Sequence, residues 1–144
     1  MRILVADDNE QVRRGVMNIL SSRGSWEICG EAKDGEEAIH KAQQLRPDLI
    51  LLDISMPGLN GLETARLLRQ DLCMAKILVM SQHDPIHLLP QAIEAGAYAC
   101  VDKSRLSTDL LPAIQSIHAA ENLSSVAQCS SEFGSRHIIV PFRP

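Results

Sequence analysis

Short apolar runs alternate along this chain with stretches in which hydrophobic residues recur three and four positions apart. Ile3-Leu4-Val5-Ala6 is the first run. Over residues 9–22, Val12, Val16, Ile19 and Leu20 share one side of a helix, with Gly24 just past its end. Residues 26–32 predict a second strand. Asp34 is placed to cap a helix that runs through Leu45, with Ala38, Ile39 and Ala42 facing inward, and Pro47 stops it. Residues 48–53 predict a third strand, and Met56-Pro57-Gly58-Leu59-Asn60-Gly61 a loop in which Gly61 serves the turn into the next helix. That helix covers 62–70 and carries Ala65 and Leu68. Residues 75–81 predict a fourth strand, 98–101 a fifth, and 110–120 the last helix. Pro90 and Pro112 fall inside helical patterns, yet proline is tolerated only in a helix's first turn. The fourth helix either starts near His87, the favoured reading, or starts at Asp84-Pro85 and kinks at Pro90; a last helix capped by Asp109 puts Pro112 in its first turn. Continuously apolar strands separated by amphipathic helices predict a parallel sheet covered on both faces.

After Glu121 the periodicity stops. Residues 122–136 are rich in Ser and read as a linker or tail, and residues 137–144 as an added edge strand, a segment for a partner's groove or foreign sequence. A length of 144 residues predicts one domain, here at 1–121, with 122–144 appended. Hydrophobic content of 45% with aromatics at 3% gives an aliphatic core. A net charge of −4 argues against direct nucleic-acid binding, which needs clustered Lys and Arg. No apolar run reaches the ~18 residues of a membrane span. Cys29, Cys73, Cys100 and Cys129 lack metal spacing; Cys29 and Cys100 read as small core residues, which predicts reduced thiols and a cytoplasmic protein.

Chemistry gathers at the strand ends. Asp7-Asp8 follows the first run, Asp53 ends the third, Ser81 ends the fourth and Lys103 follows the fifth. Taken singly, Asp8 and Asp53 read equally as helix caps, Ser81 as a strand-end hydroxyl and Lys103 as a solvated lysine. Taken together they lie beyond the carboxyl ends of parallel strands, where such sheets place their sites. Carboxylates gathered this closely repel unless a cation joins them. A hard divalent ion suits oxygen ligands, and Mg2+ uses few carboxylates together with phosphate oxygens.

This constellation resembles the receiver domain of two-component response regulators through residue 121. The resemblance rests on Asp7-Asp8, Asp53-Ile54-Ser55-Met56-Pro57-Gly58, Ser81 and Lys103. Met80-Ser81-Gln82-His83-Asp84 and Gly96-Ala97 are most similar to the NarL/LuxR-type subgroup. It implies a doubly wound, flavodoxin-like α/β fold of five parallel strands and five helices. It implies that Asp53 accepts a phosphoryl group from a sensor histidine kinase. Mg2+ would be held by Asp8, Asp53 and the backbone carbonyl of Ser55, with Asp7 acting through water. Lys103 would bring positive charge to the phosphoryl group and Ser81 a hydrogen bond. Ser55 and His83 occupy positions that tune the lifetime of the phosphorylated form. The output would be a surface of the last two helices and fifth strand, through which receivers form homodimers.

The chain departs from the family at one switch position. Three residues before the lysine most receivers carry Tyr or Phe, and here Cys100 stands there. Tyr98, placed by strand alternation on the same face, reads as a substitute rotamer switch or as an edge aromatic. Two other classes of protein fit the sequence less well. Haloacid-dehalogenase-type phosphatases carry a second Asp two residues after the nucleophile, where this chain has Ser55. A flavodoxin-like binding module needs a Gly-, Ser- or Thr-rich loop after the first strand, where this chain has Asp-Asp-Asn-Glu. The subgroup also implies DNA binding through a C-terminal helix-turn-helix domain, for which residues 122–144 are too few. The expectation is a receiver cut from a transcription regulator or a stand-alone one.

Overall fold

The computed structural model describes residues 1–71, 74–82 and 85–126. The strands are β1 (Arg2–Ala6), β2 (Glu27–Ala32), β3 (Leu49–Asp53), β4 (Lys76–Ser81) and β5 (Ala99–Asp102). The helices are α1 (Glu10–Leu20), α2 (Gly35–Leu45), α3 (Gly61–Asp71), α4 (Pro85–Glu94) and α5 (Leu106–Val126), the last preceded by a 3-10 turn over Lys103–Arg105. All strand pairs are parallel, in the order β2-β1-β3-β4-β5. This is the doubly wound, flavodoxin-like arrangement. The order reverses between β1 and β3, which opens a crevice where both strands deliver their carboxyl ends.

Alternation along the strands divides the core between the two faces. Leu4, Ala6, Ile50, Leu52, Ile77, Val79 and Cys100 pack beneath Ala38 and Ala42 of α2, Ala65 and Leu68 of α3 and Ala92 of α4. Ile3, Val5, Leu49, Leu51, Leu78, Met80, Ala99 and Val101 pack beneath Val16 and Leu20 of α1 and Leu110, Ala113, Ile114 and Ile117 of α5. Burying each such Leu, Ile or Val contributes about 1.5–3 kcal/mol, and continuous burial on both faces explains why these strands are apolar throughout. Asp34 caps α2 as expected, its Oδ1 accepting from Glu37 N at 2.8 Å.

Several local expectations require correction. α4 begins at Pro85, not near His87, because a proline at the first helical position loses no hydrogen bond. Pro90 then sits mid-helix, without an N–H for the carbonyl four residues back. α5 begins before Asp109, because Asp102 caps the preceding turn by accepting from Ser104 N at 2.9 Å. Asp109 is buried and pairs with Arg105 at 3.2 Å, and Pro112 lies well inside the helix. The same helix continues to Val126, where the periodicity had ended it at Ala120. Cys29 is only half-buried, at an irregularity where β2 slips by one residue against β1. Tyr98 does not share a face with Cys100. The chain bends before β5, and Tyr98 packs on the α1/α5 side while Cys100 lies on the α2/α3/α4 side. His83 and residues 137–144 fall outside the described residues.

Gly61 has a different role from the one its place in the loop suggests. Its φ is not in the left-handed region; that belongs to Gly58, at +75°. A methyl group on Gly61 would come within 2.3 Å of the Asp53 carbonyl oxygen and 2.6 Å of Ile54 Cα. Glycine is required because α3 starts directly against the end of β3.

Candidate functional site

The strand ends bring Asp7, Asp53, Ser81 and Lys103 to one edge of the sheet. Asp7 follows β1 and is wholly buried, its N–H donating to Ala32 O at 3.0 Å and extending the β1–β2 pairing. Its Oδ1 accepts from Asn9 N at 2.8 Å. Asp8 is exposed and does not cap α1. Asn9 does so instead, accepting from Gln11 N at 2.8 Å and Val12 N at 3.4 Å. The competing reading of Asp8 as a cap therefore falls.

Asp53 closes β3 at 1% exposure. Its Oδ1 accepts from Ser55 N at 3.2 Å. Lys103 reaches between the carboxylates from the far side, its Nζ 3.0 Å from Asp53 Oδ1 and 2.8 Å from Asp7 Oδ2. Both are ion pairs at short range. Asp7 Oδ2 and Asp53 Oδ2 are both buried with no hydrogen-bond donor. Lys103, expected at worst to be a solvated lysine, has a side chain only 9% exposed. Ser81 ends β4, fully buried and in register with Asp102.

Electrostatics follow from this packing. Burial pushes the Asp53 carboxyl above its ordinary value, Lys103 opposes the shift, and the Asp7 charge adds to it. Burial alone would pull the Lys103 ammonium down, but Asp7 and Asp53 outweigh it and hold it above its ordinary value. Cys100, fully buried, has its thiol pushed up to about 12 by burial and by the Asp102 charge, so it stays neutral.

Asp7, Asp8 and Asp53 each offer one oxygen such that all three atoms lie within 4.8 Å of one another. In front of them an open, polar cavity of about 550 Å³ is lined by Asp8, Asn9, Glu10, Asp53, Ser55, Gln82 and Lys103. Ser81 is not among the residues that line this cavity. The sequence motifs contain Glu10 and Gln82 but give neither a place in the site. Gln82 directly follows a strand-end site residue, and extending each strand end by one position would have found it. Glu10 carried no such signal, since it opens α1 as an ordinary first-turn acid. Tyr98 stands apart from this cluster, its ring 5.6 Å beneath Lys76 Nζ.

A family model described as the response regulator receiver domain matches residues 3–115. The nitrate/nitrite response regulator protein NarL of Escherichia coli (strain K12) is 38% identical over 125 residues, which is 87% of this chain and 58% of that protein. The transcriptional regulatory protein LnrK of Bacillus subtilis is 31% identical over 119 residues, 83% of this chain and 54% of that one. Among solved structures, the signal receiver domain of a NarL response regulator from Mycobacterium tuberculosis superposes with a TM-score of 0.76 at 33% identity, covering 82% of this chain and 95% of that one. A LuxR-family response regulator from Aurantimonas gives 0.78 at 34% identity, covering 83% and 85%. The chain spans little more than half the length of these curated relatives. It belongs to the receiver-domain family of two-component response regulators, in the NarL/LuxR-type branch.

Proposed function

We propose that this domain accepts a phosphoryl group on Asp53 from the phosphohistidine of a sensor histidine kinase, in a Mg2+-dependent reaction, and thereby switches a surface that controls an output domain or partner. The observation that carries this reading is the state of Asp53. It is a buried carboxylate with one oxygen unpartnered, beside two further carboxylates and one ammonium.

The donor set fits the cation. Hard carboxylate oxygens, one of them orphaned on Asp53, suit Mg2+. Asp8, Asp53 and the backbone carbonyl of Ser55 would hold it. Asp7 would act through water, which agrees with its Oδ2 already facing Lys103. When bound, the ion neutralises phosphoryl oxygens and favours in-line displacement.

The chain's own residues supply the rest. A carboxylate oxygen of Asp53 attacks phosphorus as the bond from phosphorus to the donor imidazole nitrogen breaks. The bonding pair stays with that nitrogen, which takes a proton from water. Lys103 keeps Asp53 anionic before transfer and meets the phosphoryl charge afterwards. Ser81 donates a hydrogen bond to a phosphoryl oxygen, which draws the end of β4 inward and shifts α4. Ser55, on the cavity wall, and His83, outside the described residues, stand at the two positions that tune acyl-phosphate lifetime in the family. The domain processes no other substrate; it promotes only its own phosphorylation and dephosphorylation.

Residues 1–121 are the phosphoacceptor domain and 122–144 a linker or tail, into which α5 carries its helix. The output is transcriptional, through a helix-turn-helix domain, and the phosphorylated form pairs through α4, β5 and α5. The setting is cytoplasmic; among the described residues no helix is long and apolar enough to cross a membrane. Incubation with acetyl phosphate and Mg2+ is expected to add one base-labile phosphoryl group, seen by intact mass and mapped to Asp53. Undiminished incorporation in Asp53→Asn would overturn the assignment.

A further inference from the structure

Arg13 is tied into the acidic loop by contacts that the phosphotransfer chemistry does not itself require. It stands in the first turn of α1 with a side chain 16% exposed. Its Nη1 donates to the carbonyl oxygen of Asp7 at 2.7 Å, and its Nε donates to Glu31 Oε1 at 2.8 Å. Glu31 lies on β2, in register with Val5 of β1, and its own carbonyl accepts from Lys41 Nζ on α2.

The Asp7 carbonyl belongs to the peptide unit that joins Asp7 to Asp8. Asp7 is wholly buried, so that oxygen needs a donor from the protein. Arg13 supplies one and thereby fixes the plane of the peptide leading to Asp8. The Asp7 side is fixed already, by Asp7 N on Ala32 and by Asn9 N on Asp7 Oδ1. Asp8 is exposed, and the orientation of the preceding peptide sets where its carboxylate stands.

We propose that Arg13, held by Glu31, is a positioning residue that sets the Asp8 carboxylate for the divalent cation. This rests on the Mg2+ reading above. Its competitor is a bulk charge effect, and the two have opposite signs. A nearby guanidinium acting only through its charge would repel Mg2+, so its removal would tighten binding. A positioning residue weakens binding when it is lost, as partners that orient metal ligands do, by about 10–100-fold.

The test is calorimetric Mg2+ affinity of the chain, with metal-free thermal unfolding to verify folding. Arg13→Ala is expected to weaken Mg2+ by about tenfold or more. It should raise the Mg2+ needed for half-maximal labelling by acetyl phosphate while the rate at saturating Mg2+ stays near wild type. Arg13→Lys, which keeps a charge and one donor, should recover part of the affinity. Glu31→Gln should lose less than Arg13→Ala, and the double variant should be no weaker than Arg13→Ala alone. Unchanged or tighter binding in Arg13→Ala, or additive losses in the double variant, would overturn the proposal. Should Arg13→Ala fail to fold, unchanged affinity in both Glu31→Gln and Arg13→Lys would do so. Absence of Mg2+ binding by the wild-type chain would instead overturn the metal reading beneath it.

Discussion

Two buried carboxylates share one ammonium, and that ratio sets the cost of the site. The Asp53 carboxyl is held above its ordinary value of 3.8, so the folded chain binds its proton more readily than the unfolded chain does. As pH rises through the carboxylate range, the unfolded state gives up that proton first, and stability falls to a lower plateau at neutral pH. Asp53→Asn removes this penalty and should raise the metal-free melting temperature near neutral pH; an unchanged or lower value would mean Asp53 is not held at a cost. Lys103 has the opposite sign. With its pKa held above 10.5, its contribution is complete below that value and is lost as pH rises through the elevated one. Removing one member of a buried ion pair costs about 3–5 kcal/mol, so Lys103→Ala should be strongly destabilising without metal and partly recovered by Mg2+. A melting temperature insensitive to this change would remove Lys103 from the ion triad. The residue types of this site were legible because each follows an apolar run. Arg13 was not legible, because its partner is a main-chain carbonyl and its orienting acid lies on a strand whose neighbour only the sheet order reveals.

The elements carry a second constraint, in how close they come. α3 begins so near the end of β3 that a side chain at Gly61 meets main-chain atoms of Asp53 and Ile54. Main chain cannot yield as a flexible side chain would. Gly61→Ala should therefore cost about 1–3 kcal/mol, the usual range for overpacking, and shift the loop that carries the acceptor. Urea unfolding would measure the first effect and the rate of Asp53 labelling the second; normal values of both would show that the contact relaxes freely. The alternation of five strands and five helices was legible in periodicity, and so was the cap at Asp34. Helix starts were less so. Pro90 looked like a barrier, yet Pro85 supplies a first position that suits proline and starts the helix upstream of it. Asp109 looked like a cap, yet Asp102 begins the turn earlier and leaves Asp109 for Arg105. A sequence shows which residues can cap, and the end of the preceding strand decides which one does. Tyr98 shows the same limit, since alternation assigns its face only while the chain remains extended.

At the scale of the whole molecule, the sheet order separates the site from the surface proposed to respond to it. Asp7, Asp8 and Asp53 sit where β1 meets β3, while α4, β5 and α5 lie at the far edge. β4 connects them, with Ser81 at its end. Among the described residues of α4, Ala92 is fully buried and Leu88 and Leu89 pack, partly covered, against the core that holds Cys100 where most receivers carry an aromatic ring. Under the proposed switch, α4 would shift as a body when the end of β4 moves, without a ring having to rotate. Its outward side presents Ile86 at 64% exposure. A shift that brings this residue against a second copy would give the phosphorylated form its self-association. Sedimentation velocity with saturating Mg2+ and beryllofluoride is expected to show a dimer, and the untreated chain a monomer. Ile86→Asp should suppress the dimer without reducing labelling of Asp53, because it touches the surface and not the site. A chain that stays monomeric under beryllofluoride would remove the dimer. One that dimerises equally well with Asp at position 86 would place the contact elsewhere on the far edge.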